Sequence, residues 1–228
     1  MSIAVLLLAA GSGSRFGGEI PKQYVEVAGE AILLHTLRML EQEPRLAYVQ
    51  PVIASGDRRF ASLVAQKHFS FALLPPVIGG EERSISMLRG LAALPADVDM
   101  VAVHDAARPN PSARLLKDVL DQALLHGAAI PGIAVHDTMK RVDADGKVLE
   151  TPLRASLRAV QTPQVARRAW FEQAMQREEK RLHLHTDDAS VLEAAGFPVY
   201  VSLGDVNNRK ITTQDDLLWL QGLLEERT

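Results

Sequence analysis

Apolar and polar positions are grouped in blocks along the chain. Ile3–Ala9 is a continuous apolar run, the pattern of a parallel strand covered on both faces. Tyr48–Ala54, Met100–His104, Ala128–Val135 and Val199–Leu203 repeat it, with Pro51 weakening the second. Between these runs the apolar period lengthens to that of a helix. Leu33, Leu34, Leu37 and Leu40 share one face, as do Leu115, Leu116, Val119, Leu120 and Ala123. A last helix opens at Thr212 or Thr213 and carries Leu217, Leu218, Leu220, Leu223 and Leu224. Strands alternating with helices predict right-handed βαβ units and a mostly parallel sheet.

The stretch His136–Arg154 breaks this rhythm. It is polar, and Asp143-Ala144-Asp145-Gly146 is a turn signal between two extended arms. A hairpin outside the sheet core is expected, protruding as an arm over about 136–154. A projecting hairpin needs a surface to lie on, so a homodimer through the arm is expected too. No repeat, low-complexity tract or long linker divides the 228 residues, a length that suits one domain over 1–228.

Composition narrows the chemistry. The chain has no cysteine, which excludes a disulfide framework, a thiolate metal site and a catalytic thiol. That fits a reducing compartment, and the cytoplasm is the expected location. The apolar start has no basic residue before it and runs into a glycine-rich loop, so it reads as a buried strand and not as a signal peptide. No apolar stretch approaches the roughly 20 residues of a membrane span. A net charge of -3 argues against a nucleic-acid partner. An anionic ligand would have to be held by a few placed cations.

Candidate chemistry begins directly after the first strand, in Leu8-Ala9-Ala10-Gly11-Ser12-Gly13-Ser14-Arg15-Phe16-Gly17-Gly18. Small residues and glycines let the backbone approach a ligand, and successive N–H groups form an anion-binding nest. Arg15 and Lys22 add two cations, as a triphosphate undergoing displacement requires. A dinucleotide fingerprint fails because Phe16 stands where a glycine is needed, and a P-loop fails because Lys22 lies between Pro21 and Gln23. A tight turn carrying two solvated cations is the other reading of the loop alone.

This loop, followed by Pro21-Lys22-Gln23-Tyr24, resembles the signature of sugar-phosphate nucleotidyltransferases. Val103-His104-Asp105-Ala106-Ala107-Arg108-Pro109 resembles the second signature of one branch, the 2-C-methyl-D-erythritol 4-phosphate cytidylyltransferases. The likeness continues, in order, through Gly79–Ser86, Asp137–Arg141, Gln161–Gln164, Thr186–Ser190 and Asn208–Thr212, covering nearly the whole chain. It implies an α/β, Rossmann-like fold: a mostly parallel twisted sheet flanked by helices, with the hairpin arm. The implied reaction is attack of the acceptor's phosphate oxygen on the α-phosphorus of CTP, with pyrophosphate leaving. The product is 4-diphosphocytidyl-2-C-methyl-D-erythritol, an intermediate of non-mevalonate isoprenoid synthesis.

The same resemblance implies roles. Arg15 and Lys22 become the catalytic cations on the triphosphate. Ala9, Ala10, Gly11, Ser12 and Gly13 cradle CTP, and Gly80, Glu81 and Ser86 read the cytosine. Asp105 and Ala106 hold the nucleotide, with Asp105 also a ligand of Mg²⁺. Arg108, Thr138, Arg154, Thr162, Thr186 and Lys210 hold the acceptor, and Thr138 and Arg154 act across the dimer. Taken alone, such threonines are ordinary turn or cap residues, and Asp105 is a helix cap or a partner of Arg108.

Three positions depart from the family pattern. Glu81 stands where Asp is expected, Asn207 where some members are acidic (Asp205 is nearby), and Arg209 adds a cation close to the proposed phosphate pocket. His104 is expected to pack behind the site, and His183 and His185 to face solvent. Alternatives stay open at this point: a cytidylyltransferase for another pentitol phosphate such as ribitol 5-phosphate, or a non-catalytic nucleotide-binding protein on the same fold. Use of UTP or dTTP is disfavoured by His104–Pro109, and a dehydrogenase by Phe16.

Overall fold

A computed structural model describes residues 1–11, 16 and 20–226. In chain order, β1 (Ser2–Ala9) leads to a small hairpin of β2 (Glu26–Val27) and β3 (Glu30–Ala31), then α1 (Ile32–Leu40) and β4 (Leu46–Ile53). The chain continues through α2 (Arg59–Val64), β5 (Ala72–Leu73), β6 (Val77–Ile78), α3 (Arg83–Ala92) and β7 (Val98–Asp105). Then come α4 (Ala113–His126), β8 (Ala128–Ala134), β9 (Arg141–Val142), β10 (Val148–Glu150), β11 (Arg158–Val160) and β12 (Gln164–Arg167). The last elements are α5 (Arg168–Arg177), α6 (Asp188–Ala194), β13 (Tyr200–Leu203) and α7 (Gln214–Glu225).

The main sheet runs β11-β8-β12-β7-β1-β4-β5, with β13 also paired to β8 and β6 to β4. β1 is parallel to both β4 and β7, as expected of a strand buried on two faces. Its side chains alternate between two cores. Ile3, Val5, Leu7 and Ala9 pack with Leu33 and Leu37 of α1 and with Leu116 and Leu120 of α4. Ala4 and Leu6 pack on the other face with Met87 of α3 and Phe171 of α5. That is why the run has no polar alternation. Truncating a fully buried residue such as Leu6 to Ala would cost about 2–5 kcal/mol.

Pro51 sits inside β4, paired in register with Leu7. The carbonyls of Val49 and Ile53 accept from the Leu74 and Gly79 N–H groups on the outer edge. Pro51, between them, faces the same edge, in the interval between β5 and β6, so its missing N–H breaks no ladder bond. The sheet is more mixed than a simple βαβ reading suggests. β12 is antiparallel to both β7 and β8 and separates them, and β11 is antiparallel to β8.

β9 and β10 form a separate antiparallel pair joined through the expected turn. Asp143 Oδ1 accepts from the N–H groups of Asp145 (3.1 Å) and Lys147 (2.9 Å), and Gly146 has φ +84°. α7 begins with Thr213 as its cap: the Thr213 hydroxyl accepts from Asp216 N–H while the Asp216 carboxylate accepts from Thr213 N–H. Leu217, Leu220 and Leu224 pack with Phe16, Val27, Ile32 and Ile211 in a third cluster, whereas Leu218, one step round the helix, is exposed.

Candidate active site

The chain passes from β4 on one side of β1 to β7 on the other, and a ligand crevice is expected at the carboxyl ends of strands where an open sheet switches direction. A cavity of about 190 Å³ lies there. Its floor is Ala9, Ala10 and Gly11 after β1 and Asp105, Ala106 and Ala107 at the end of β7. The loop before α3 supplies one wall through Gly80 and Glu81, joined by Ser86 of α3 itself, and Lys22, Arg83 and Lys210 bring positive charge.

Close approach explains the Gly79-Gly80 pair. A Cβ on Gly79 would lie 2.6 Å from Ala10 Cβ, and one on Gly80 would lie 2.3 Å from Ile85 Cγ2. Gly80 N–H donates to Ser86 Oγ (3.1 Å), which folds the loop onto the start of α3. On the opposite wall Gln23 Nε2 donates to the Ala9 carbonyl (2.7 Å), and Lys22 Nζ donates to the Ile211 carbonyl (2.9 Å). Both contacts tie the Pro21–Tyr24 turn to the cleft.

Asp105 is the electrostatic centre. Its Oδ2 is 2.9 Å from Lys210 Nζ and 3.6 Å from Arg108 Nε, and its Oδ1 is 3.6 Å from Arg83 Nη2. Burial alone would raise its pKa, but Arg83, Lys210 and Arg108 outweigh burial and hold the carboxyl well below the usual carboxylate range. Behind it, the Arg108 carbonyl can only accept, so the proton of His104 sits on Nε2 and donates there (3.1 Å). His104 Nδ1 then accepts from the Thr162 hydroxyl (2.9 Å), whose oxygen accepts from Asp105 N–H (3.1 Å). Burial pushes the His104 pKa down to about 4, with Asp105 opposing, so the imidazole is neutral near pH 7. His104 lies wholly buried behind the cleft.

The structure gathers most of the expected nucleotide residues. Ala9, Ala10, Gly11, Lys22, Gly80, Glu81, Ser86, Asp105, Ala106 and the acceptor candidate Lys210 all line the cavity. Ser12, Gly13 and Arg15 lie outside the described residues. Thr162 is buried, with its hydroxyl engaged by His104 and Asp105. Arg108 is largely buried, and its Nη1 donates to the Asn208 carbonyl (2.8 Å). Thr186 lines a neighbouring small hollow with Arg83, Asp187 and Asp188. Thr138 and Arg154 are exposed at the base of the β9–β10 hairpin, where Arg154 Nη1 donates to the His136 carbonyl.

Two side chains take positions that sequence reasoning does not supply. Arg83 carries no assigned role in the Gly79–Ser86 motif, yet it touches Asp105 and forms an ion pair with Asp188, 105 residues away. Nothing local in the sequence signals that pairing. Arg209 does not line the cavity: its guanidinium lies over the Trp219 ring of α7, 5.1 Å from the centroid. Asp205 Oδ1 accepts from Asn207 N–H (2.9 Å), a local turn contact.

The donor set also bears on a metal. Among the described residues no group of three or more His, Cys, Asp or Glu side chains could hold an ion. The single ionised carboxylate of Asp105 in the cleft fits Mg²⁺, which usually takes one or two carboxylates and completes its shell with substrate phosphates and water. Among the described residues no helix is long and apolar enough to cross a membrane.

Comparison with known proteins places the chain in a family and its fold among solved structures. Residues 3–226 match the family model described as 2-C-methyl-D-erythritol 4-phosphate cytidylyltransferase. The chain is 38% identical over 226 residues to the protein of that name from Alkaliphilus metalliredigens, covering 99% of this chain and 94% of the relative. Its fold is similar to the crystal structure of 4-diphosphocytidyl-2C-methyl-D-erythritol synthase from Anaerococcus prevotii, with TM-score 0.86, 27% identity and 98% of each chain covered. It is also similar to the 2-C-methyl-D-erythritol 4-phosphate cytidylyltransferase of Thermus thermophilus, with TM-score 0.78, 30% identity and 98% of each chain covered.

Proposed function

Because the chain belongs to the 2-C-methyl-D-erythritol 4-phosphate cytidylyltransferase family, we propose a division of the reaction among its residues. The reaction itself is transfer of CMP from CTP to 2-C-methyl-D-erythritol 4-phosphate in isoprenoid synthesis. An acceptor phosphate oxygen forms a bond to the α-phosphorus, the bond from that phosphorus to the bridging oxygen breaks, and pyrophosphate leaves with the electron pair. Such displacement is governed by positioning and charge neutralisation.

The observation that carries the assignment is the ionised Asp105 set between the glycine loop, the Gly80–Ser86 wall and three cations. Asp105 and Ala106 hold the ribose, Ala9 to Gly13 wrap the triphosphate, and Gly80, Glu81 and Ser86 meet the cytosine. Lys22, with Arg15, stabilises the charge that builds on the phosphates. Lys210 and Arg108 receive the acceptor's phosphate, with Thr186 on its polyol. Thr162 acts through the Asp105 backbone and His104. Mg²⁺ would be held by Asp105 together with the triphosphate, where it would neutralise phosphate charge.

Thr138 and Arg154 complete the site of a partner protomer in a homodimer. Support comes from apolar side chains that one copy leaves in solvent: Val142, Val148, Leu149 and Leu153 on and beside the arm, and Val201 and Leu203 on β13. The chain works as one nucleotidyltransferase domain in the cytoplasm, in keeping with its cysteine-free composition.

The test is pyrophosphate release from CTP and Mg²⁺ with methylerythritol phosphate and ribitol 5-phosphate in parallel. Preference for methylerythritol phosphate is expected. Preference for ribitol 5-phosphate would overturn the acceptor assignment, and silence with both would overturn catalysis.

A further inference from the structure

Arg83, the first residue of α3, spans two carboxylates that are remote in sequence. Its Nη2 is 3.6 Å from Asp105 Oδ1, and its Nη1 donates to Asp188 Oδ1. Asp105 ends β7 on the floor of the nucleotide cleft, whereas Asp188 opens α6, two residues after Thr186. Asp188 is buried, and its Oδ2 has no hydrogen-bond partner among the described residues. Leaving a buried carboxylate without its cation is costly. Burial lowers the Arg83 pKa, but Asp188 and Asp105 outweigh it and keep the guanidinium charged.

The same segment is gripped from its other side. Gln164 Nε2 donates to Asp187 Oδ2 (2.9 Å), and Gln164 Oε1 accepts from Ala189 N–H (2.8 Å). Residues 187–189 are therefore anchored to Gln164 of β12 and to Arg83, which lines the cleft.

We propose that Arg83 is a positioning residue that fixes the Thr186–Asp188 segment against Asp105, setting the separation between acceptor and nucleotide. This rests on the reading of Asp105 as a nucleotide ligand and Thr186 as an acceptor ligand. The planar fork of arginine meets two carboxylates at once, whereas a lysine ammonium at this site reaches one. Displacement chemistry is sensitive to shifts of about 1 Å in the bound partners, so loosening this strut at Asp188, which does not line the cleft, acts on acceptor binding and turnover while leaving the cleft's own cations in place.

The experiment compares wild type, Asp188→Asn and Arg83→Lys. The measurements are acceptor KM, kcat, the Kd for CTP without acceptor, and the melting temperature. Asp188→Asn keeps Arg83 beside Asp105 and weakens only its hold on the acceptor segment. Its acceptor KM should rise roughly tenfold, within the usual range of coupling between sites, while its CTP Kd stays within about twofold of wild type. A folded Asp188→Asn with wild-type acceptor KM, or one that loses CTP affinity equally, overturns the proposal. If that variant does not fold, Arg83→Lys decides by the same comparison: acceptor KM must rise more than CTP Kd. Active wild type beside unchanged variants overturns the role of Arg83 alone. Inactive wild type overturns the functional reading and this inference with it.

Discussion

The Thr162 hydroxyl lies 2.9 Å from His104 Nδ1 and donates to it, completing behind the cleft the tautomer that the Arg108 carbonyl fixes at Nε2. The native fold holds this imidazole neutral down to about pH 4, while an unfolded chain protonates it near its ordinary value of about 6.5. Between those values the unfolded state binds the extra proton, so stability falls as pH is lowered through that window. The full loss is roughly 3 kcal/mol. Asp105 has linkage of the same sign in a lower window: its contribution is present above the unfolded carboxyl pKa of about 4 and is lost only below it. Thermal melts at pH 7 and pH 4.5 should show a smaller drop for His104→Gln than for wild type. Equal drops would mean that another group senses the acid.

Lys22 faces the cleft from a 3-10 turn held by Gln23 and by the contact of its own Nζ with the Ile211 carbonyl. Lys22→Ala should lower kcat by at least about a hundredfold, the usual cost of losing one donor to transition-state charge. Single-turnover measurement with CTP saturating separates this from binding. An unchanged rate removes Lys22 from the chemistry.

Gly80 has no room for a side chain. Gly80→Ala would place a methyl group against Ile85 and push the proposed cytosine wall out of position, raising the KM for CTP roughly tenfold if the strain is about 1.4 kcal/mol. Adding Ile85→Ala should recover part of the loss. No recovery would show that the contact with Ile85 is not what matters.

Arg154 stands at the base of the arm and outside the cleft of its own chain. If it serves a partner's site, Arg154→Ala should chiefly raise the acceptor KM, and deleting Asp143–Lys147 should weaken self-association in sedimentation. The acceptor KM of the deleted chain should then depend on protein concentration. A deleted chain that remains dimeric would place the interface elsewhere.

The sequence reveals structure best where one physical demand dominates. Strands β1, β7 and β8 are legible because both faces are covered and their central runs are apolar, Val101–Val103 in the case of β7. The arm is legible because Asp143 and Gly146 are what its turn needs. β12 is not: four residues wedged antiparallel between two strands carry too short a pattern to declare a partner. The residues that line the cleft were visible as motifs, since glycine loops and carboxylates at strand ends lie together in space near where they lie in the sequence. Arg83 was not, because its significance depends on two carboxylates supplied by distant elements. Arg209 looked like part of the phosphate pocket until the ring of Trp219 gave it another place to rest.

The wedge formed by β12 also bears on how the molecule is made. β7 and β8 follow each other in the chain but do not pair across the sheet, because Gln164–Arg167 lies between them. A nascent chain released only as far as β8 has all of β1, β4 and β7, yet its sheet has a gap one strand wide. Pairings that must await distant residues are slow to form. The ribosome therefore delivers the strands of the cleft floor well before the strand that joins them to β8, and the Thr186–Asp188 segment later still.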